Sequence, residues 1–252
     1  MIDQTVDVPR KQKERFASIS MPRTFTRACA RSAVVVALLI IAIASPAVAR
    51  SEKKHGGDVE ANTPGVFDYY ALSLSWAPTY CASHQQDQSE CGVGKRYGFV
   101  LHGLWPQFLK KWPENCSDAT LTPDEETKYA SAYPSKKLME HEWSKHGTCS
   151  GLSASEYFDL SDSLRKGLKI PEAYQQPEKS FSSNSDELAQ TFRTTNPDIE
   201  EGGVLAICSG KFLSEIHVCF SKDGKSHVAC SDSEIRSANK SCKDSFIVRN
   251  VK

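Results

Sequence analysis

The sequence predicts an α+β domain in which a mainly antiparallel sheet packs against several helices and four disulfides fasten the chain. Two patterns predict this fold class. β-prone runs open and close the folded region while helix signals fill its middle, and eight cysteines follow an N-terminal export signal. The composition is 39% hydrophobic and 25% charged with a formal net charge of zero, which excludes a disordered chain and a strongly basic nucleic-acid coat protein.

Residues 1–49 are expected to be a secretory signal peptide. An apolar run at 33–44 follows Arg31 and precedes the small-residue tripeptide 47–49, so cleavage is expected after Ala49. The run is shorter than the roughly 20 residues that a membrane span needs. A short N-terminal membrane anchor is the less favoured alternative.

The mature chain is expected to begin with a flexible leader at residues 50–66, which are polar and contain several glycines. Residues 67–252 carry no second boundary and predict a single domain. Its first strand is expected at residues 68–76, where aromatic and apolar residues alternate with polar ones.

A second strand is expected at residues 98–102, an apolar run that ends at His102. Gly103 and the rigid step Trp105-Pro106 follow, which predicts that the strand ends at the histidine and a loop begins. Site residues are often found where a strand gives way to a loop. A satisfied core histidine is the alternative for His102.

Helix signals fill the middle of the domain. Residues 122–125 (TPDE) and 153–156 (SASE) are capping boxes, and each predicts a helix start. The second of these helices carries apolar residues on one face, namely Tyr157, Leu160, Leu164 and Leu168. The predicted helices span 122–133, 135–145, a segment from 153, and 183–195.

The C-terminal part returns to β-prone sequence. Strands are expected at residues 204–208, 213–220 and 225–230. Asp223-Gly224 lies between the last two and predicts a hairpin turn. These runs predict an antiparallel meander.

Eight cysteines remain after removal of the signal peptide, namely Cys81, Cys91, Cys116, Cys149, Cys208, Cys219, Cys230 and Cys242. An even number in an exported chain predicts four disulfides. Metal binding is less favoured, because the sequence has no CxxC pair and no cysteine beside a histidine pair at zinc spacing. Spacing alone leaves the pairing open.

Residues 141–149 (HEWSKHGTC) concentrate ionisable groups. On a helix, His141 and Lys145 are four apart, as are Glu142 and His146, so the four side chains share one broad face. Histidines suit acid and base catalysis, and a lysine supplies a cation for an anionic centre. Glu142 is expected to orient or charge-balance His146. A solvated helix face with incidental histidines is the alternative.

A zinc hydrolase helix also begins with His-Glu, but that motif needs its second histidine at i+4. Here Lys145 occupies that position and His146 follows it. The positive charge of a lysine at this ligand position would repel a metal ion. No metal and no other cofactor is therefore expected, and a metallohydrolase stays the less favoured reading.

The two histidine segments resemble a known family. VLHGLWPQ (100–107) and HEWSKHGTC (141–149) closely resemble the two active-site segments of the ribonuclease T2 family, whose members are secreted, metal-independent endoribonucleases. LSWAPTYC (74–81) resembles the first strand and first cysteine of that family. The resemblance spans about residues 68–245.

The resemblance implies roles for individual residues. His102 and His146 are expected to be the acid and base pair, with His146 favoured as base. Glu142 and Lys145 are expected to stabilise the charged transition state. His141 is expected to hold phosphate, and Trp105 to position His102.

The family also implies the disulfide pairing, whereas the candidates for base binding are chosen by their side-chain chemistry. The implied disulfides are Cys81–Cys91, Cys116–Cys149, Cys208–Cys242 and Cys219–Cys230. Aromatic faces bind bases of any sequence, so the candidates for stacking are Trp76 and Phe108, with Pro78 and Tyr80. Ordinary core packing is the alternative for these aromatic residues.

The function implied is cleavage of single-stranded RNA to 2′,3′-cyclic phosphate ends, followed by hydrolysis to 3′-phosphates. DNA lacks the 2′-hydroxyl and is not an expected substrate. The protein is expected to be a secreted or periplasmic monomer with no membrane partner after signal cleavage. A catalytically silent secreted binding protein on the same fold is the alternative.

Overall fold

The computed structural model describes residues 62–252, so the predicted signal peptide and most of the predicted leader lie outside the described residues. The strands and helices of residues 62–252 follow in this order: β1 (Tyr69–Trp76), α1 (Ala77–Cys81), α2 (Gln88–Cys91), β2 (Phe99–Gln107), α3 (Pro123–Tyr129), α4 (Lys136–Lys145), α5 (Ala154–Gly167), β3 (Phe181–Ser183), α6 (Ser185–Thr195), β4 (Val204–Ser209), β5 (Phe212–Ser221), α7 (Asp232–Cys242) and β6 (Phe246–Val248).

The strands form one sheet in the order β2-β1-β5-β6-β3, and β4 also pairs with β5. All pairs are antiparallel except a short parallel contact between β5 and β6. The helices pack around this sheet. The predicted α+β class with a mainly antiparallel sheet is therefore confirmed.

The two faces of the sheet have different surroundings. On one face, alternate residues of β1 such as Leu72 and Leu74 belong to the main apolar core, together with Tyr157 of α5. On the other face, Ala71 packs in a small cluster with Ala238 of α7. The odd-numbered residues further along β1 are serines, so this second face becomes polar beside β2.

The prediction that the second strand ends at His102 is wrong, because β2 continues to Gln107. The register shifts here, because Ser73 faces Gly103 while Leu74 faces Leu101, which leaves His102 as the extra residue of a β-bulge. Pro106 is tolerated within the strand because β2 is an edge of the sheet. The bulge places His102 and Gly103 together on the face opposite the core, while Leu101 and Leu104 on either side stay buried in the core.

The helix starts agree with the capping signals. Capping boxes at Thr122 and Ser153 open α3 and α5, and the Ser135 side chain caps α4. Helix α6 begins at Ser185, two residues later than predicted, because the preceding residues pair with β6 as β3 and Asn184 provides the cap. The predicted helices are present with this shift and one other, since α3 ends at Tyr129 rather than at residue 133.

Residues 225–230 do not form the predicted strand. The turn at Gly224 is present, with a φ of 68°, but a single bridge joins Phe220 to His227. Beyond it the chain leaves β5, because Cys230 N donates to Gly202 O at 3.0 Å. The segment is held by this bond, by its disulfide and by two backbone hydrogen bonds with β5, from Ser221 N to Ser226 O and from Val228 N to Cys219 O, rather than by a continuous strand ladder.

Residues 62–252 contain four disulfides, and they have the pairing that the family resemblance implies: Cys81–Cys91, Cys116–Cys149, Cys208–Cys242 and Cys219–Cys230. The second of these ties the loop before α3 to the 3-10 turn that follows α4. It therefore fastens the C-terminal end of the helix that carries the second histidine segment.

The last residues of the predicted leader contact the domain. Gly65 N donates to Cys149 O at 2.9 Å, and the Asn62 side chain accepts from Glu114 N.

Among residues 62–252, no helix is both long and apolar enough to cross a membrane.

The Tyr157 hydroxyl lies in the core and donates to Leu104 O at 2.9 Å, which links α5 to β2. Tyr157→Phe removes this bond and should lower the free energy of unfolding by about 1 kcal/mol in a denaturant titration. Tyr97→Phe alters a partly exposed tyrosine and is the matched control, with an expected change below about 0.5 kcal/mol. Equal losses in the two variants would contradict this role.

Candidate active site

A cleft of about 460 Å³ opens where β2, β5, α4 and the start of α7 meet. Its walls combine imidazole, carboxylate, ammonium and aromatic groups, from His102, Trp105, Phe108, Trp112, His141, Glu142, Lys145, His146, His217 and Glu234. The catalytic and substrate-binding residues predicted from the sequence lie in this cleft, except the stacking candidates Trp76, Pro78 and Tyr80.

The register of three strands builds the polar floor of the cleft. Ser73 faces Gly103 on β2 and His217 on β5, while Ser75 faces Glu215 on β5. These side chains share the face of the sheet opposite the main core, since strand residues two apart point the same way. The bulge adds the side chain of His102 to this face.

His102 is held on its Nδ1 side by the sheet. Nδ1 lies 3.1 Å from Glu215 Oε1 and 3.2 Å from Ser75 Oγ, while Nε2 lies 3.6 Å from Glu142 Oε1. Burial disfavours the charged form, but the hydrogen bond and charge of Glu215 and the charge of Glu142 outweigh it and raise the pKa of His102. The imidazole is thus set up to carry a proton near neutral pH.

Glu142 is the most deeply buried charged group of the cleft, with 1% of its surface exposed. Trp105 Nε1 donates to its Oε2 at 2.6 Å. Burial raises the pKa of Glu142 to about 7, against the opposing effects of His102 and the Trp105 hydrogen bond. Near neutral pH this carboxyl group therefore exists in both protonation states.

The hydrogen bond between Trp105 and Glu142 requires a glycine beneath it. A Cβ atom at Gly103 would lie 2.0 Å from Glu142 Oε2 and 2.6 Å from Trp105 Nε1. These separations are far below contact distance. The absence of a side chain at this position allows the indole, the carboxylate and His102 to meet.

His146 lies just beyond the end of α4 and is 7% exposed. Its ring centroid is 5.1 Å from that of Trp105, and its Nδ1 is buried without a hydrogen-bond partner among residues 62–252. Burial, followed by the charges of Lys145 and the other cleft histidines, lowers the pKa of His146 to about 3. This imidazole is neutral across the physiological range.

Glu142 does not orient His146, contrary to the sequence-based expectation. That expectation assumed a helix through both residues, but α4 ends at Lys145 and His146 has a φ of −117°. The Glu142 side chain instead turns to Trp105 and His102. Departure from helical geometry removes the stacking that the four-residue spacing implies.

Lys145 and His141 form the cationic rim of the cleft. Lys145 is about one-third exposed and lies 3.6 Å from Glu114, a surface pair that contributes little stability. Most of His141 is exposed, but the burial of part of its ring and the charge of Lys145 lower its pKa. Both side chains can reach an anion that enters the cleft.

Sequence reasoning assigned no role to Glu215, His217, Glu234 or Trp112. His217 lies 2.7 Å from Glu234 Oε1 through Nδ1 and 3.4 Å from Glu215 Oε2 through Nε2. Trp112 is 56% exposed on the loop after β2. The alternation of Glu215 and His217 with buried Ile216 was a signal that could have placed both on the polar face.

Trp76 is fully buried in the core, where its Nε1 donates to Arg249 O at 3.0 Å, so the prediction that it stacks on a base is wrong. Because side chains alternate along a strand, Trp76 lies on the same face of β1 as Leu74, which is the core face, and not on the face of Ser75. Phe108 lines the cleft, so its role in base stacking stays a prediction. Tyr80 lies outside it and stacks on His84, and Pro78 borders a different pocket.

Within residues 62–252, the side chains of Cys219, Cys230 and Glu234 lie close enough together to share a metal ion. The two sulfurs are joined in a disulfide. Because a disulfide offers no thiolate, this group lacks the ligands that a zinc site needs.

A sequence model of the Ribonuclease T2 family matches residues 67–230. A ribonuclease of Aeromonas hydrophila is 37% identical over 197 residues, which cover 75% of this chain and 88% of the relative. Ribonuclease DdI of Dictyostelium discoideum is 29% identical over 189 residues, covering 69% of this chain and 82% of the relative.

Solved structures share the fold. Ribonuclease MC1 from bitter gourd seeds matches with a TM-score of 0.54 at 23% identity, over 71% of this chain and 99% of that one. The self-incompatibility associated SF11-RNase of Nicotiana alata matches with a TM-score of 0.54 at 18% identity, over 74% and 100%. Since the family match spans more than half of the sequence, the chain belongs to the Ribonuclease T2 family and is an endoribonuclease of that family.

Proposed function

We propose that the protein cleaves single-stranded RNA by attack of the ribose 2′-hydroxyl on the adjacent phosphorus. The 5′-oxygen leaves, and the products are a 2′,3′-cyclic phosphate and a free 5′-hydroxyl. The observation that carries the proposal is the placement of two imidazoles of opposite protonation tendency, His102 and His146, against one indole in one cleft. This is the arrangement that a paired general acid and base require.

The electrostatic environments assign the two roles. His146 is neutral and can accept the 2′-hydroxyl proton, because burial and cations disfavour its charged form. His102 is held charged by Glu215 and can donate its Nε2 proton to the leaving 5′-oxygen. In the second step the roles reverse, and water attacks the cyclic phosphate to give a 3′-phosphate.

Negative charge that develops on the phosphoryl oxygens is stabilised at the rim and the floor of the cleft. Lys145 supplies a fixed cation, and His141 donates a hydrogen bond to phosphate. The fraction of Glu142 that is protonated near neutrality can donate from Oε1, while Trp105 holds Oε2. The mechanism uses no metal ion and no cofactor.

The aromatic rings of Phe108 and Trp112 are proposed to receive bases, since both border the cleft and Trp112 is well exposed. Single strands suit such stacking because their bases are free to splay out. We further propose that residues 67–252 act as a monomeric domain in the periplasm or outside the cell. Four disulfides support an oxidising location.

Incubation of the purified protein with single-stranded RNA and with DNA of the same sequence, both in excess EDTA, tests the proposal. RNA should be cut to fragments with 2′,3′-cyclic and then 3′-phosphate ends, as end-group analysis will show, and DNA should stay intact. Intact RNA would support a silent binding protein on this fold. Cleavage that EDTA abolishes would support metal-dependent hydrolysis.

Replacement of either central histidine should remove activity without loss of the fold. His102→Phe and His146→Phe should each lower kcat/KM by at least about 100-fold in an RNA cleavage assay, because acid or base catalysis is lost. His84→Phe alters an exposed histidine outside the cleft and should keep full activity. A folded His102 or His146 variant with near-normal turnover would disprove the assignment.

The dependence of kcat/KM on pH should be bell-shaped with a wide plateau. The base must be neutral, so the rate rises with pH through the pKa of His146, which is about 3. The acid must be charged, so the rate falls as pH rises through the pKa of His102, which lies above 6.5. A steady-state profile with its acid limb near pH 6.5 would contradict a neutral His146.

A further inference from the structure

A chain of partly buried polar groups extends from His102 into the sheet, and the mechanism above assigns no role to its inner part. Glu215 Oε1 lies 3.1 Å from His102 Nδ1. Its Oε2 accepts from the Ser73 hydroxyl at 3.1 Å and lies 3.4 Å from His217 Nε2. Beyond it, His217 Nδ1 lies 2.7 Å from Glu234 Oε1.

The backbone fixes this chain. Glu215 and His217 both lie on β5, and β1 pairs with that strand so that Ser75 faces Glu215 and Ser73 faces His217. Glu234 is in the first turn of α7, which the Cys219–Cys230 disulfide fastens close to β5. Glu215 therefore has little freedom to move away from His102.

The charges of the chain balance when both imidazoles are protonated. Burial alone would raise the pKa of Glu215, but hydrogen bonds and charges from His102 and His217 outweigh it and hold that pKa well below its usual range. Burial alone would lower the pKa of His217, but Glu215 and Glu234 outweigh it and raise the pKa to about 9. Two carboxylates then face two imidazolium groups.

We propose that Glu215, itself fixed by His217 and Glu234, is a positioning residue that accepts a hydrogen bond from Nδ1–H of His102 and thereby makes Nε2 the nitrogen that gives up a proton to the substrate. This inference rests on the proposed function, because it concerns the general acid of that reaction. When Nε2–H transfers its proton to the leaving 5′-oxygen, the Nδ1–H bond to Glu215 persists. The neutral imidazole is left in one defined tautomer.

Other groups also face His102, and they too influence the pKa of its ring. Ser75 lies near Nδ1, and Trp105 packs against the ring at 5.1 Å. Glu142 faces Nε2, and the remaining charged neighbours are His217 on β5, Glu90 on α2, and His141 and His146 of the cleft. Of the carboxylates, Glu215 alone is hydrogen-bonded to the ring within residues 62–252.

The test compares Glu215→Gln with the unaltered protein by NMR titration of the histidine rings, with the His102 signal assigned through its loss in His102→Phe. The pKa of His102 should fall by about one pH unit or more, because an adjacent negative charge is removed while the side chain keeps its length. At pH 8, kcat for RNA should fall about tenfold with little change in KM, since each pH unit of pKa is a factor of ten in the protonated fraction.

Glu90→Gln is the matched control, because Glu90 is a buried carboxyl group that acts on His102 only through space. It should shift the pKa of His102 by much less than Glu215→Gln does. Equal shifts in the two variants would overturn the proposal, because they would show a general field effect. Thermal unfolding of both variants separates loss of the fold from loss of positioning.

If Glu215→Gln does not fold, Glu215→Asp replaces it. The shorter side chain lengthens the 3.1 Å contact, so the pKa of His102 should still fall, by less than a full pH unit. An unchanged pKa of His102 in a folded Glu215 variant would overturn the positioning role. Failure of the unaltered protein to cut RNA would instead refute the proposed function, and the NMR titration distinguishes the two failures because it needs no activity.

Discussion

The hydrogen bond from Trp105 to Glu142 joins the edge strand β2 to helix α4, and the geometry of the cleft depends on it. Each element positions one of the two central histidines: β2 carries His102 at its bulge, and His146 follows the end of α4. The indole contacts both rings. Gly103 permits the hydrogen bond between Trp105 and Glu142, because a side chain at this position would occupy the place of the carboxylate.

The cleft is divided into two electrostatic halves. Carboxylates surround His102, with Glu215 on its Nδ1 side and Glu142 on its Nε2 side, and they favour the imidazolium ion. Around His146 the nearby charges are positive and its Nδ1 has no hydrogen-bond partner among residues 62–252, so the neutral ring is favoured. The fold thus gives the two rings opposite protonation tendencies, as the proposed acid and base roles require.

Local signals predicted the starts of α3, α4 and α5, because the capping residues at Thr122, Ser135 and Ser153 act within one turn, whereas α7 was not predicted. The β-bulge at His102 was not predictable, since it depends on how β2 registers against β1. The contact between Glu215 and His102 was missed for the same reason: the two residues lie 113 positions apart. The error at Trp76 was avoidable, because period-two alternation already placed it on the core face.

The central claim is that His102 is charged and His146 neutral in the resting protein. Ring nitrogen-15 NMR at about pH 5.5, between the two pKa values, tests this most directly. The account predicts two protonated nitrogens on His102 and one protonated nitrogen on His146. The reverse pattern, or the same protonation state on both rings, would contradict it.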